Sequence, residues 1–162
     1  MAVIFLDIDG VLNRTNQKPS KKARVVEPEL LARFKEIVDA SGATVVLAST
    51  WRHERDALQE ARRLGIPFND VLPDLRPDSR AKEVEVWLQT HGHSGRIAII
   101  DDDDDGYGRL PLFQPSPAKG LTLKVADAVL SYLNGTRSTD LRRNVFIRLL
   151  QHLRSLVAGH RG

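Results

Sequence analysis

Short apolar runs alternate along the chain with longer stretches in which apolar residues recur every three or four positions. Ala2–Leu6, Thr44–Ala48 and Arg96–Ile100 read as buried strands. Ile66–Leu72 holds room for a short further strand, and Leu110–Phe113 for a fifth. Between them, residues Pro28 to Ala40 place Leu30, Leu31, Phe34, Ile37 and Val38 on one helical face, with Gly42 as a stop signal. Arg52 to Leu64 reads as a charged helix closed by Gly65. Ser79 to His91 gathers Val84, Trp87 and Leu88 on a third helix, and Thr122 caps a fourth that runs to Asn134. Strands alternating with helices predict an α/β fold, a Rossmann-like parallel sheet of about five strands with helices on both faces. In such sheets ligands bind outside the carboxyl ends of the strands.

Past Gly135 the pattern changes. Thr136–Asp140 reads as a polar hinge, and Leu141, Val145, Leu149, Leu153 and Leu156 then recur at helical spacing. The chain therefore divides into a domain over 1–135 and a basic amphipathic C-terminal helix over 136–162. Packing on the domain, self-association and binding of a polyanion are all open to that helix. Charge sharpens the division. Residues 136–162 hold six arginines and one aspartate, a net +5, against +3 for all 162 residues, which leaves −2 for the rest. A nucleic-acid argument from net charge applies to the tail alone.

There is no cysteine, which excludes a disulfide scaffold, a thiolate metal site and a cysteine nucleophile. No apolar run nears the ~20 residues of a membrane span. The start of the sequence lacks a basic lead-in and a long apolar run, so no signal peptide and a cytoplasmic location are expected.

Three strands end in reactive side chains. The first delivers Asp7, Asp9 and Gly10, the second Ser49, Thr50, Trp51 and Arg52, and the fourth Asp101 and Asp102. All three converge on one edge of the predicted sheet. Gly10 allows a sharp turn, so that Asp7 and Asp9 can both reach one pocket. A calcium loop wants a third acid before the glycine and a glutamate further on, and Gly10 comes too early for that pattern. Like charges ~4 Å apart repel by about 4 kcal/mol at an effective dielectric of 20, so gathering these carboxylates calls for a cation. An oxygen-only ligand set selects Mg²⁺, which keeps waters and binds substrate phosphate. Asp103–Asp105 read as a solvated acidic loop. Ser49 and Thr50, at a helix start, offer an anion site or a plain N-cap. Lys82 lies in the first turn of its helix, where the dipole disfavours a cation; an anionic partner would explain it, and a plain exposed surface lysine fits equally.

Asp7-x-Asp9-Gly10-Val11, Ser49, Lys82 and Asp101-Asp102, in this order and strand context, resemble the four motifs of the haloacid dehalogenase superfamily, phosphatase branch. The resemblance spans roughly residues 1–135. The first two motifs are most similar to those of bacterial, phage and nucleic-acid-repair proteins. The resemblance implies phosphomonoester hydrolysis through an aspartyl-phosphate. Asp7 would be the nucleophile. Asp9 would be the general acid and then base, its main-chain carbonyl joining the Asp7 side chain on Mg²⁺. Asp101 and Asp102 would hold the metal, with the register of the Asp run open by one residue. Ser49 would bind a phosphoryl oxygen, and Lys82 would offset charge. Gly10, Thr50 and Arg52 complete the expected substrate contacts.

Neither 13–27 nor 65–79 has room for a cap domain, so the site is expected to be open to a phosphate on a macromolecule. The stretch from Arg14 to Arg24 holds five basic residues and no acid, which suits steering of a polyanion and equally suits a solvated loop. Trp51 and Arg52 are positioned to stack on a base or grip a second phosphate, or Trp51 to fill core. Three readings follow: a Mg²⁺-dependent phosphatase of open substrate; a polynucleotide 3′- or 5′-end phosphatase of nucleic-acid repair; and an inactive binding or regulatory module. The last sits poorly with a full set of catalytic residue types.

Overall fold

The computed structural model describes residues 1–14 and 25–135. Most of the basic stretch before Arg24, and the amphipathic helix expected after Gly135, lie outside the described residues.

Five strands, β1 (Val3–Leu6), β2 (Thr44–Leu47), β3 (Asp70–Val71), β4 (Ile97–Ile100) and β5 (Leu112–Phe113), form one sheet in the order β3-β2-β1-β4-β5. Every pairing is parallel. Four helices connect or flank them: α1 (Pro28–Ser41), α2 (Arg55–Arg63), α3 (Arg80–Thr90) and α4 (Leu123–Asn134). This is the Rossmann-like α/β architecture the pattern predicts, with no large cap among the described residues. No helix among the described residues is long and apolar enough to cross a membrane.

β1 is buried along its whole length because it is covered on both faces. Its period of two divides it. Ile4 and Leu6 join a core with Phe34 and Ile37 of α1, Ala57 and Ala61 of α2, and Val129 and Leu133 of α4. Val3 and Phe5 join a second core with Val84 and Trp87 of α3, where the Trp87 ring meets Phe5 edge-on at 5.5 Å. Fully burying a side chain such as Phe5 stabilises the fold by about 1.5–3 kcal/mol. α1 opens on Pro28, whose missing N–H costs nothing at a helix start, and closes on Gly42 in the left-handed region.

The expected helix from Arg52 to Leu64 is broken. Thr50–His53 form a 3-10 turn capped by Ser49, Glu54 is extended, and α2 begins only at Arg55. The expected third and fifth strands shrink to two residues each at the sheet edges.

Strand order reverses at β1. The connection through α1 leads to β2 on one side, and the connection through α3 leads back across to β4 on the other. This crevice at the carboxyl end of β1 is where an open α/β sheet places ligands.

Candidate active site

Asp7 continues β1 by one residue, its N–H donating to Ile100 O at 2.9 Å, while Ala48 N donates to Leu6 O on the other flank. The ends of β2 and β4 are thereby fixed on either side of Asp7. Asp7, Asp101 and Asp102 each offer a carboxylate oxygen, and these atoms lie within 4.8 Å of one another. Asp7 and Asp101 are buried and Asp102 is half-buried. Among the described residues no His joins this group, so the donor set is wholly hard oxygen and fits Mg²⁺. Burial first, and then the Asp101 charge, push the Asp7 carboxyl up to about 8, against the opposing pull of Arg80 and a hydrogen bond from Ser49. Burial likewise raises Asp101 and Asp102, the latter helped by the neighbouring Asp101 charge. Burial is the first cause at all three, and like charge adds to it at Asp7 and Asp102.

The turn after β1 is tight: Leu12 N donates to Ile8 O at 2.8 Å, and Gly10 has φ 73°. A side chain at Gly10 would also collide with a neighbour, because a Cβ there would lie 2.2 Å from Asp102 Oδ2. Gly10 is therefore a close-approach position as much as a turn residue. The Asp9 carboxylate stands outside the trio. Its Oδ1 accepts from Asn13 Nδ2 at 2.8 Å and its Oδ2 from Trp51 Nε1 at 2.9 Å. Trp51 is buried, so the core placement holds, and its indole reaches the site through this one polar atom.

On the β2 side, Ser49 is fully buried, hydrogen-bonds Asp7, and accepts from Trp51 N at 3.5 Å. Thr50 is exposed and lines a cavity of about 280 Å³ shared with Arg52, His53, Ser79 and Arg80. Arg52 touches that cavity but is not placed to take up an anion. Its buried guanidinium pairs with buried Glu83 and donates to the carbonyls of Ala48 and Ser49. A buried glutamate requires such a partner, so this arginine ties the end of β2 to α3.

Lys82 is not brought to the cluster. It is exposed and pairs with Glu85 one turn on, at 3.6 Å. Arg80 stands there instead: Nη1 lies 3.4 Å from Asp101 and 3.6 Å from Asp7, and Nη2 3.0 Å from Asp105. The reason is helical geometry. Residues two apart differ by about 200°, and Arg80 shares the i, i+4, i+7 stripe of buried Val84 and Trp87. That spacing was present in the sequence, and the helix-dipole argument used for Lys82 applies equally to Arg80.

The acidic run divides by role. Asp101 Oδ1 accepts from Asp103 N at 3.0 Å, and Asp101 Oδ2 accepts from the Tyr107 hydroxyl at 2.7 Å. Asp104 Oδ1 accepts from Tyr107 N at 3.2 Å. Asp103 and Asp104 are exposed, as a solvated loop requires, but Asp105 is half-buried against Arg80. Tyr107, buried behind the site, escaped the sequence reading; a lone tyrosine between two glycines carries no periodic signal.

A family model, described as the HAD domain in Swiss Army Knife RNA repair proteins, matches residues 3–126. The chain belongs to this family. A comparison with curated proteins returned no match. HAD membership brings hydrolase chemistry in general, and the match covers every strand of the sheet together with Asp7, Ser49, Arg80 and Asp101.

Proposed function

We propose that this HAD domain is a Mg²⁺-dependent phosphomonoesterase that works through an aspartyl-phosphate on the end of a nucleic-acid strand. The observation that carries the reading is the meeting of the Asp7, Asp101 and Asp102 carboxylates within 4.8 Å, with Ser49 and Arg80 on Asp7. Asp7, Asp101 and Asp102, with the main-chain carbonyl of Asp9, would hold the metal. When bound, it supplies the positive charge that keeps these carboxylates ionised and offsets charge on the phosphoryl oxygens.

The chain's own residues do the rest. An Asp7 oxygen attacks phosphorus as the bond from phosphorus to the leaving oxygen breaks, and Asp9 gives that oxygen its proton. Water then attacks phosphorus, Asp9 takes the water's proton, and the bond to Asp7 breaks to release phosphate. Ser49 and Thr50 present hydroxyls to the phosphoryl group, Gly10 lets the backbone approach it, and Arg80 takes the charge-offsetting part expected of Lys82. Burial and fixed donors make this mainly positioning and charge stabilisation.

Three observations support a strand end as substrate: the family description names RNA repair proteins, the described residues form no large cap, and the segment from Arg14 to Arg24 is basic. The catalytic unit is residues 1–135, with 136–162 as a basic accessory segment. The test is a panel of sugar phosphates, nucleotides, phosphopeptides and 3′- or 5′-phosphorylated oligonucleotides, assayed with Mg²⁺ and with EDTA. Oligonucleotides are expected to lead in kcat/KM, with a rate that falls as salt rises. No turnover of any substrate with Mg²⁺ would favour the inactive binding module.

A further inference from the structure

Asp9 sits on a turn beside a glycine, where nothing in the backbone fixes its side chain. Yet both of its oxygens are occupied, and by groups from different parts of the chain. Trp51, from the segment after β2, donates its indole N–H to Oδ2 at 2.9 Å. An indole nitrogen can only donate, so this contact has one polarity. Trp51 is 6% exposed, so the ring cannot swing away without opening the core. Asn13 donates to Oδ1 at 2.8 Å. Its orientation is fixed too, because its own Oδ1 accepts from Gly10 N at 2.9 Å while Nδ2 also reaches Val25 O at 2.9 Å.

We propose that Trp51 and Asn13 are positioning residues that clamp the Asp9 carboxylate at the angle needed for proton transfer. The inference rests on the acid/base part given to Asp9 above. It gives the tryptophan between Ser49 and Arg52 a task distinct from stacking on a base. It also links Val25, which follows the basic segment in the sequence, to the group that moves the proton. An acid displaced by about 1 Å can cost a hundredfold in rate.

The test is a double-mutant cycle on the full chain, with Mg²⁺ and an aryl phosphate whose good leaving group keeps weakened variants measurable. Trp51→Phe and Asn13→Ala are each made in the parent and in Asp9→Ala. In the parent each is expected to lower kcat about tenfold or more, with KM within about twofold. In Asp9→Ala neither is expected to lower it further, since the carboxylate they hold is gone. Equal losses in both backgrounds, or full turnover by both variants in the parent, would overturn the clamp. Parent-like turnover by Asp9→Ala itself would instead remove the acid/base reading on which the clamp stands. Should Trp51→Phe fail to fold, half-buried Asn13 allows the cycle to be completed with Asn13→Ala alone.

Discussion

The two flanks of Asp7 are built from opposite materials. On the β2 side stand neutral donors: the Ser49 hydroxyl on Asp7 and the Trp51 indole on Asp9. The one arginine there, Arg52, is neutralised by Glu83 and turned into the fold. On the β4 side stand ionisable groups: the acids Asp101, Asp102 and Asp105, met by Arg80. The β2 flank orients by hydrogen bonds, while the β4 flank accumulates negative charge that needs a counter-ion. Two arginines near one site are thus set differently: Arg52 is sealed against one buried carboxylate, while Arg80 is shared among Asp7, Asp101 and Asp105.

The comparison breaks most completely at its centre. Asp7→Asn is expected to abolish turnover, by about a thousandfold or more, with the fold intact by circular dichroism. Retained activity would remove Asp7 as nucleophile. On the charged flank, Arg80→Ala is expected to lower kcat about a hundredfold. Lys82→Ala should stay within twofold, and steady-state kinetics of the pair decides which cation serves the site. On the neutral flank, Arg52→Ala should act on stability. It leaves Glu83 buried without its partner, which costs about 3–5 kcal/mol and is read as a large drop in Tm.

The smallest expected effect is a pH dependence. Burial raises the Asp7, Asp101 and Asp102 carboxyls above their unfolded values, Asp7 to about 8. Their contribution to stability is then fully present below pH ~4 and lost as pH climbs through the folded values. Without metal, Tm should fall between pH 6.5 and 8. Asp7→Asn should flatten that slope, and saturating Mg²⁺ should remove it. A metal-free Tm that rises over this window would contradict the charge crowding.

How much was legible follows the same division. Hydrophobic runs placed all five strands, and acids at strand ends placed Asp7, Asp101 and Asp102, because a strand end fixes where the next residue goes. Position in the first helical turn marks Arg80 and Lys82 alike, and only the helical face separates them, turning Lys82 out to Glu85 and Arg80 in toward Asp7. Arg52 carried no mark of its partner, since Glu83 lies in a helix far along the chain and only the folded sheet brings them together. The Trp51 contact to Asp9 is hidden for the same reason.

Five identical letters in a row make a poor ruler, and slippage by one would go unnoticed in a string. Folded, the run has only one setting. Asp102 occupies the hollow that Gly10 leaves by having no side chain, while the tyrosine hydroxyl and the amide of residue 103 grasp its predecessor. Lengthening or shortening the run by a single aspartate would therefore leave its composition almost unchanged, keep an acid at both positions after the fourth strand, and yet carry Asp105 away from Arg80 and the tyrosine hydroxyl away from Asp101.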